Sequence, residues 1–563
     1  MTTSECGHTP ETQTSTPPDF RTAAAGRALL AGLIDRPWGQ VSPSIYETGR
    51  LIALAPWLAR HSRRVRYILD AQRPDGLWGA PDGYAIVPTL SAVDALLSLL
   101  RSDAGRRPPS SQDVDIAEVA ARLDALLPLL ARTLWELPAA ALPDMPANDL
   151  IITALIESIN EHTRALAEAP STVLSPSALT GRLRLPIGLD GTRLAKVQAA
   201  LSFGAELPEK ILHALEVAGD LARDAATIRP GSTGSVGASP AATAAWLDGR
   251  ARDPHHPARV FLETVVDDHD GLAPCGIPIT VFERAWVLSS LTRAGIAAQV
   301  PAALITSLDD ALGPVGTPAA EGLPADADTT SAVLYALNLL GVPRAPDSLW
   351  AYETGTHFCT WPGEEGFSVT VNAHALEAFG QYLRAVEEGR APRTAMSHRY
   401  AATVDKLVTL LCDRQEADGS WTDRWHASPY YATMCCVVAL SRFGGWQAAP
   451  AIRRARAWTL ATQRPDGSWG RWKGTFEETA YAIQVLLSED QGNVTSQAPD
   501  EYEESVTAGC RFLPAPHHLG NGPIEGPALW HDKDLYLPSA IVQASLLAAH
   551  QLARKRGISG DLH

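Results

Sequence analysis

The pattern Gln-x-x-Asp-Gly-x-Trp occurs three times in the chain, as Gln72…Asp75-Gly76…Trp78, Gln415…Asp418-Gly419…Trp421 and Gln463…Asp466-Gly467…Trp469. Each copy follows a segment of helical periodicity (Val65–Asp70, Val404–Cys412, Arg453–Thr462) and precedes another, and the second and third copies lie 48 residues apart. That spacing suits a repeated helix pair. Glycine permits a tight turn, aspartate accepts backbone N–H groups of the following helix, and glutamine and tryptophan tie one helix end to the next turn. The motif is therefore read as structural. Between the copies, alanine- and leucine-rich segments such as Ser91–Leu100, Val119–Leu134, Leu150–Ala165, Ser331–Leu340 and Leu376–Val386 carry helical spacing, and strand-like alternation is scarce. The fold class is all-α.

Composition narrows the function. A chain of 563 residues buries large cores without disulfides or structural metals. A net charge of −16 with no long basic run excludes nucleic acid as the main partner. Uninterrupted apolar stretches of 18 residues are absent, so no transmembrane segment is expected. The seven cysteines form no C-x2-C pair and no signal-peptide pattern opens the chain, which makes a reducing cytoplasm the expected location. Residues 1–20 are rich in Ser, Thr and Pro and are read as a tail outside the fold. Fifteen tryptophans outnumber either Phe or Tyr.

The repeat resembles the QW motif of the terpene cyclase and prenyltransferase superfamily, and further segments resemble class II terpene cyclases of the bacterial copalyl and drimenyl diphosphate synthase type. These are Ser44-Ile45-Tyr46-Glu47-Thr48, Leu212-His213-Ala214-Leu215-Glu216, Ser239-Pro240, Phe282-Glu283, Trp425 to Thr433, Gly474 to Tyr481, and Trp530-His531-Asp532-Lys533-Asp534-Leu535-Tyr536. They span nearly the whole chain. The resemblance implies two α/α-barrel domains, a β domain of residues 21–60 plus 300–563 and an inserted γ domain of residues 61–299. It implies no class I ionising centre, because Asp267-Asp268-His269-Asp270 is one residue short of DDxxD and reads as a solvated acidic loop.

Read alone, Asp326-Ala327-Asp328-Thr329-Thr330 is an N-capping cluster before a helix. The resemblance makes it the DxDD-type general-acid motif, with Asp328 as the proton donor, Asp326 as its carboxyl neighbour and Thr329 in place of the last aspartate. An alkene is a very weak base, so the acid must keep its proton until it meets the substrate, which requires burial and a nearby carboxylate. The helix N-terminus opposes this by about 0.3–1 kcal/mol. Burial shifts a carboxyl by several pKa units at about 1.4 kcal/mol each, and therefore dominates.

The protonated intermediate is a carbocation, for which aromatic faces supply about 0.5–2 kcal/mol each in a dry site. Trp286, Phe358, Trp361, Tyr430, Tyr431, Tyr481 and Trp530 are the candidates, with core packing as the alternative for each. The resemblance places His213 at the position of a water-holding histidine, while the partner asparagine position falls on or near Cys275. Asn372 and His374 are second candidates, as hydrogen-bond partners of the acid loop. A retained diphosphate needs cations, and Arg471 and Lys473 are candidates beside surface solvation as their alternative. For Mg2+ the resemblance points to Glu136, Asp144 and Asp149, or else to solvated loop acids.

The expected activity is protonation-initiated cyclisation of a linear prenyl diphosphate with the diphosphate retained. Thr329 tilts the expectation toward farnesyl diphosphate and drimenyl diphosphate. Geranylgeranyl diphosphate giving a copalyl, labdadienyl or halimadienyl diphosphate is the alternative. A catalytically inactive α/α-barrel binding protein and a squalene-type cyclase are further rivals, the latter disfavoured by chain length and by only three clear repeats.

Overall fold

The computed structural model describes residues 20–101, 114–169, 173–296, 299–489, 500–520 and 522–558. Residues 1–19 of the expected tail lie outside these, and Phe20 already opens the first helix, Phe20–Asp35. Among the described residues the only strands are four two-residue segments in two antiparallel ladders. Both ladders matter. Thr317–Pro318 pairs with Ala325–Asp326 and delivers the chain to the acid motif, and Trp530–His531 pairs with Leu535–Tyr536.

Six described helices, Thr280–Ala294, Ala327–Leu339, Val369–Glu387, Pro429–Phe443, Phe476–Leu487 and Ser539–Lys555, pack each against the next, and the last returns to the first. The ring is closed. Helices Phe20–Asp35, Ala302–Ala311, Ser397–Asp413, Ala449–Ala461 and Asp500–Phe512 pack outside it, which makes an α/α-barrel around one apolar core. The inner helices are buried nearly all round, as shown by Pro429–Phe443, where every residue from Tyr430 to Ser441 is buried.

The inserted unit packs Ile45–Leu54 on Ile86–Arg101, that helix on Asn148–Glu168, and returns through Leu215–Ala222 and Pro240–Leu247 to Ile45–Leu54. The packed cores divide the chain differently from the expected boundaries at 60/61 and 299/300. Helix Ile45–Leu54 contributes Tyr46, Leu51 and Ile52 to the inserted cores, whereas Thr280–Ala294 contributes Ala285, Leu288 and Leu291 to the barrel. Apolar faces decide this, and each helix goes where its buried side chains find partners.

The three repeat turns share one set of hydrogen bonds. The indole N–H of Trp78, Trp421 and Trp469 donates to the carbonyl of Ile68, Leu411 and Thr459, ten residues back, at 2.6, 2.9 and 2.7 Å. The same tryptophans' backbone N–H groups donate to Thr89, Thr433 and Thr479 in the next helix, each at 3.0 Å. The glutamines donate to the glycine carbonyls of their own turns. Aspartate does not cap the next helix as expected; Asp75, Asp418 and Asp466 accept the N–H two residues on, closing the turn itself. All three indoles are fully buried and the turn glycines have φ of 86, 99 and 83°. The tryptophans thus belong to the scaffold.

Candidate active site

A cavity of about 690 Å³ opens where the inserted unit meets the barrel. Its size and apolar lining suit a small ligand. A polar seam holds its walls together, and motif segments distant in sequence build that seam. Ser44 Oγ and the Tyr46 N–H donate to Asp534 Oδ2 at 3.1 and 3.2 Å, and Tyr46 Oη donates to Glu216 Oε1 at 2.6 Å. Lys533, completely buried, donates to Glu216 at 3.0 Å and Ser239 at 2.7 Å and pairs with Glu47. A small apolar cluster of Tyr84, Met145, Ala427, Leu529 and Leu535 continues the contact.

On the barrel wall the acid motif sits at the start of Ala327–Leu339, one turn earlier than its apolar periodicity begins. Asp326 is the N-cap, and its Oδ1 accepts the Thr329 N–H at 2.7 Å. Burial pushes the Asp326 carboxyl up to about 7 against that hydrogen bond, and the charge of Asp328 adds to the rise. Asp328 faces the cavity, with 17% of its side chain exposed, and its Oδ1 lies 2.7 Å from His374 Nδ1. Burial by itself would lower His374, but the Asp328 carboxylate, with Cys435 beside it, holds the imidazole well above its usual value. His374 Nδ1–H therefore donates to Oδ1, and Oδ2 accepts no hydrogen bond from the described residues. Asn372 does not reach the acid. It is bound to the backbone N–H and carbonyl of Phe358 at 2.9 and 3.0 Å and pins that loop.

Behind the acid lies a smaller chamber of about 50 Å³, lined by Trp286, His374, Tyr431 and Tyr481 among others, and Tyr431 belongs to both spaces. Trp361 and Trp530 line the main cavity, joined by Phe282, Trp425 and Tyr536, which lie in the motif segments but were not among the cation-facing candidates. Phe282 lies 4.3 Å from Trp286 and Trp425 lies 5.5 Å from Trp361, so the unselected rings extend the selected ones. Two candidates are core instead. Phe358 packs on Phe379 at 5.7 Å, and Tyr430 turns outward onto Trp458 at 4.6 Å. Under the rings lies Glu477, whose Oε1 accepts Tyr481 Oη–H at 3.0 Å, Trp530 Nε1–H at 2.7 Å and His426 Nε2–H at 3.2 Å. Ser428 N–H donates to His426 Nδ1 at 3.0 Å, so the hydrogen toward Glu477 is on Nε2. A buried carboxylate behind aromatic faces deepens their attraction for a cation.

The inserted unit supplies His213. Its Nδ1 lies 2.6 Å from the Gly237 carbonyl and its Nε2 2.8 Å from Asp532 Oδ1, and both His213 and Asp532 line the cavity. Cys275 is buried 3.6 Å from the Asp534 carbonyl, and its neighbour Gly276 faces the cavity in its stead.

The expected diphosphate cations lie elsewhere. Arg471 is bound to the Ala427 carbonyl and to Asp82 on the outer seam, and Lys473 lines a separate cleft of about 140 Å³. The cations on the cavity wall are Arg193, Lys210 and Arg424, paired with Asp149 at 2.8 Å, with Glu364, and with Asp144 at 3.1 Å. Arg424 stands beside Trp425 in a segment already singled out, and Lys210 three residues before His213, whereas nothing in its sequence surroundings marks Arg193. Of the metal candidates, Asp144 and Asp149 line the cavity, while Glu136 is exposed at the end of its helix and lines no part of it. No group of three or more His, Cys, Asp or Glu side chains arranged to hold a metal occurs among the described residues. Asp144 and Asp149 are both paired with arginines, and Mg2+ there would have to take most of its ligands from water and substrate phosphates. Asp267 and Asp268 are exposed at the end of helix Pro257–Asp268 and not in a loop, His269 is half-buried, and exposed Asp270 pairs with Arg60 and Arg63. No described helix is long and apolar enough to cross a membrane.

Residues 384–498 match the squalene-hopene cyclase C-terminal domain family. Over nearly its whole length the chain is similar to an ent-copalyl diphosphate synthase of Streptomyces sp. (strain KO-3988), 38% identical over 530 residues that cover 93% of this chain and 94% of the relative. It is also similar to the labda-7,13-dienyl diphosphate synthase of Streptomyces clavuligerus, 39% identical over 539 residues, 94% and 93% of the two chains. Among solved structures, ent-copalyl diphosphate synthase from Streptomyces platensis aligns with a TM-score of 0.84 and 40% identity, covering 95% of this chain and 99% of that one. Relatives alike from end to end, together with a helical barrel pair of the same build, place this enzyme in the class II terpene cyclase family.

Proposed function

We propose that the protein cyclises geranylgeranyl diphosphate to a bicyclic labdane-type diphosphate, with Asp328 as the general acid. One observation carries the reading: Asp328 faces a cavity of about 690 Å³ while His374 holds its other side at 2.7 Å. The names of the relatives, which end in copalyl and labdadienyl diphosphate, favour the C20 substrate over farnesyl diphosphate. A second reading, farnesyl diphosphate to drimenyl diphosphate, is supported by Thr329 in the last position of the acid motif.

In this mechanism the Asp328 Oδ2 proton passes to the terminal double bond of the prenyl chain. The alkene electrons form the new C–H bond, the adjacent carbon becomes cationic, and two internal double bonds close the rings in turn. The donor side of His374 stabilises the Asp328 carboxylate that remains, which strengthens the acid at the moment of transfer. Tyr431 and Trp530, backed by Glu477, face the growing cation. At the other end, Arg193, Lys210 and Arg424 exchange their carboxylate partners for diphosphate oxygens. Mg2+, when bound, would neutralise part of the diphosphate charge, with Asp144 and Asp149 as its protein ligands.

The test is incubation of the purified protein with each prenyl diphosphate and Mg2+, dephosphorylation, and identification of the alcohols by mass spectrometry. A bicyclic C20 alcohol is the expected product. Drimenol would establish the second reading, and full turnover by Asp328→Asn would remove the acid assignment; the substitution is expected to lower turnover by ~10³-fold or more.

A further inference from the structure

The proton lost at the end of the cyclisation needs an acceptor, and His213 is badly placed to be one. The Gly237 carbonyl is only an acceptor, so His213 Nδ1 carries a hydrogen. Its Nε2 meets Asp532 Oδ1 at 2.8 Å, and that same oxygen accepts the Lys533 N–H at 2.7 Å. Burial disfavours both charges, yet the pair overcomes it: Asp532 holds the imidazole above its usual value, and His213 with Lys533 holds the Asp532 carboxyl below its own. His213 is thus an imidazolium with both protons donated, and it has no lone pair to offer. The carboxylate has one oxygen left. Asp532 Oδ2 accepts no hydrogen bond from the described residues, and a Cβ at Gly276 would stand 3.0 Å from it. Both Gly276 and Asp532 line the cavity, so the glycine leaves this oxygen open to the space where the cation forms.

We infer that Asp532 Oδ2 is the base that ends the reaction, with His213 as its positioning residue. In this step a C–H bond next to the cationic carbon breaks, its electron pair becomes the new double bond, and the proton moves to Asp532 Oδ2. Asp328 lost one proton and Asp532 gained one, so the organic product is an isomer of the substrate, and exchange with solvent resets both carboxyls. The ion pair makes Asp532 a weak base. That suffices, because a tertiary carbocation is a far stronger acid than any carboxylic acid.

The inference rests on the class II reading, and the experiment separates the two. Asp532→Asn keeps the shape and loses the charge. With folding checked by circular dichroism, it is expected to lower formation of the wild-type olefin by ~10²-fold, with double-bond isomers or a hydroxylated bicycle appearing in its place while substrate loss still depends on Asp328. Gly276→Ala, which leaves the Asp532–His213 pair intact and covers Oδ2, is expected to shift the products the same way. Wild-type products in wild-type proportion and rate from either variant would overturn the assignment. If the wild-type protein consumed no prenyl diphosphate, the class II reading would fail first. A variant at Asp532 that consumed no substrate would hand the decision to Gly276→Ala.

Discussion

Asp326 and Asp328 are two residues apart and chemically unlike. Asp326 is a helix cap whose burial raises it to about 7, while Asp328 leans on an imidazolium. Because the His374 value is raised by its partner, the stabilisation from that pair is complete below the unfolded histidine value near 6.5 and is lost only as pH rises through the higher folded value. His374→Asn is expected to lower kcat by about 10–10²-fold with little change in KM, since it removes charge from the acid and leaves substrate contacts intact. Steady-state kinetics at pH 7 check this. Lys210→Ala should do the reverse, raising KM with a smaller effect on kcat. Asp326 and Asp328 stood out only through their resemblance to a known acid motif, since the cluster read alone is a helix cap, and His374 was a second candidate as a partner of the acid loop. Arg471 and Lys473 misled because closeness to a motif says nothing of direction: Arg471 turns to Asp82 on the seam and Lys473 to a separate cleft. Arg193 becomes a site residue only through tertiary contact.

At the scale of elements, the repeat was the most readable feature, since its turn depends on local hydrogen bonds. Trp421→Phe removes one indole N–H and leaves the buried Leu411 carbonyl unpaired, at a cost of about 1–3 kcal/mol. Urea denaturation should show that loss, with turnover unchanged at 25 °C. Helix faces were harder to read. Tyr430 and Tyr431 are neighbours in a helix buried nearly all round, so periodicity does not say which one meets the cavity. The 100° step between successive residues sends Tyr431 inward and Tyr430 to Trp458. Helix Ile45–Leu54, which the resemblance assigned to the barrel domain, packs with the inserted unit.

For the whole molecule, the seam between barrel and insert is polar, buried and sensitive to charge. Lys533→Met leaves Glu47 and Glu216 facing each other without a cation and should destabilise the protein by about 3–5 kcal/mol. His531 is neutral in the seam: Tyr84 Oη donates to its Nε2 at 2.9 Å, and its Nδ1–H donates to the Arg424 carbonyl at 2.8 Å. Burial lowers its pKa to about 3, so its contribution is full above the unfolded value near 6.5 and is lost as pH falls toward 3. Melting temperature should drop over that window, and His531→Gln should flatten the drop. The closed ring has a consequence for synthesis. Its final helix, Ser539–Lys555, packs against both Thr280–Ala294 and Phe20–Asp35, so the first and last described helices meet across some 500 residues of chain. While the ribosome is still at work the helices of the inserted unit are all made by Asp268, whereas the barrel, and Lys533 and Asp534 of the seam, are not. The nascent barrel therefore waits as an open arc of apolar helices until the ring can shut, and during that interval it depends most on chaperones.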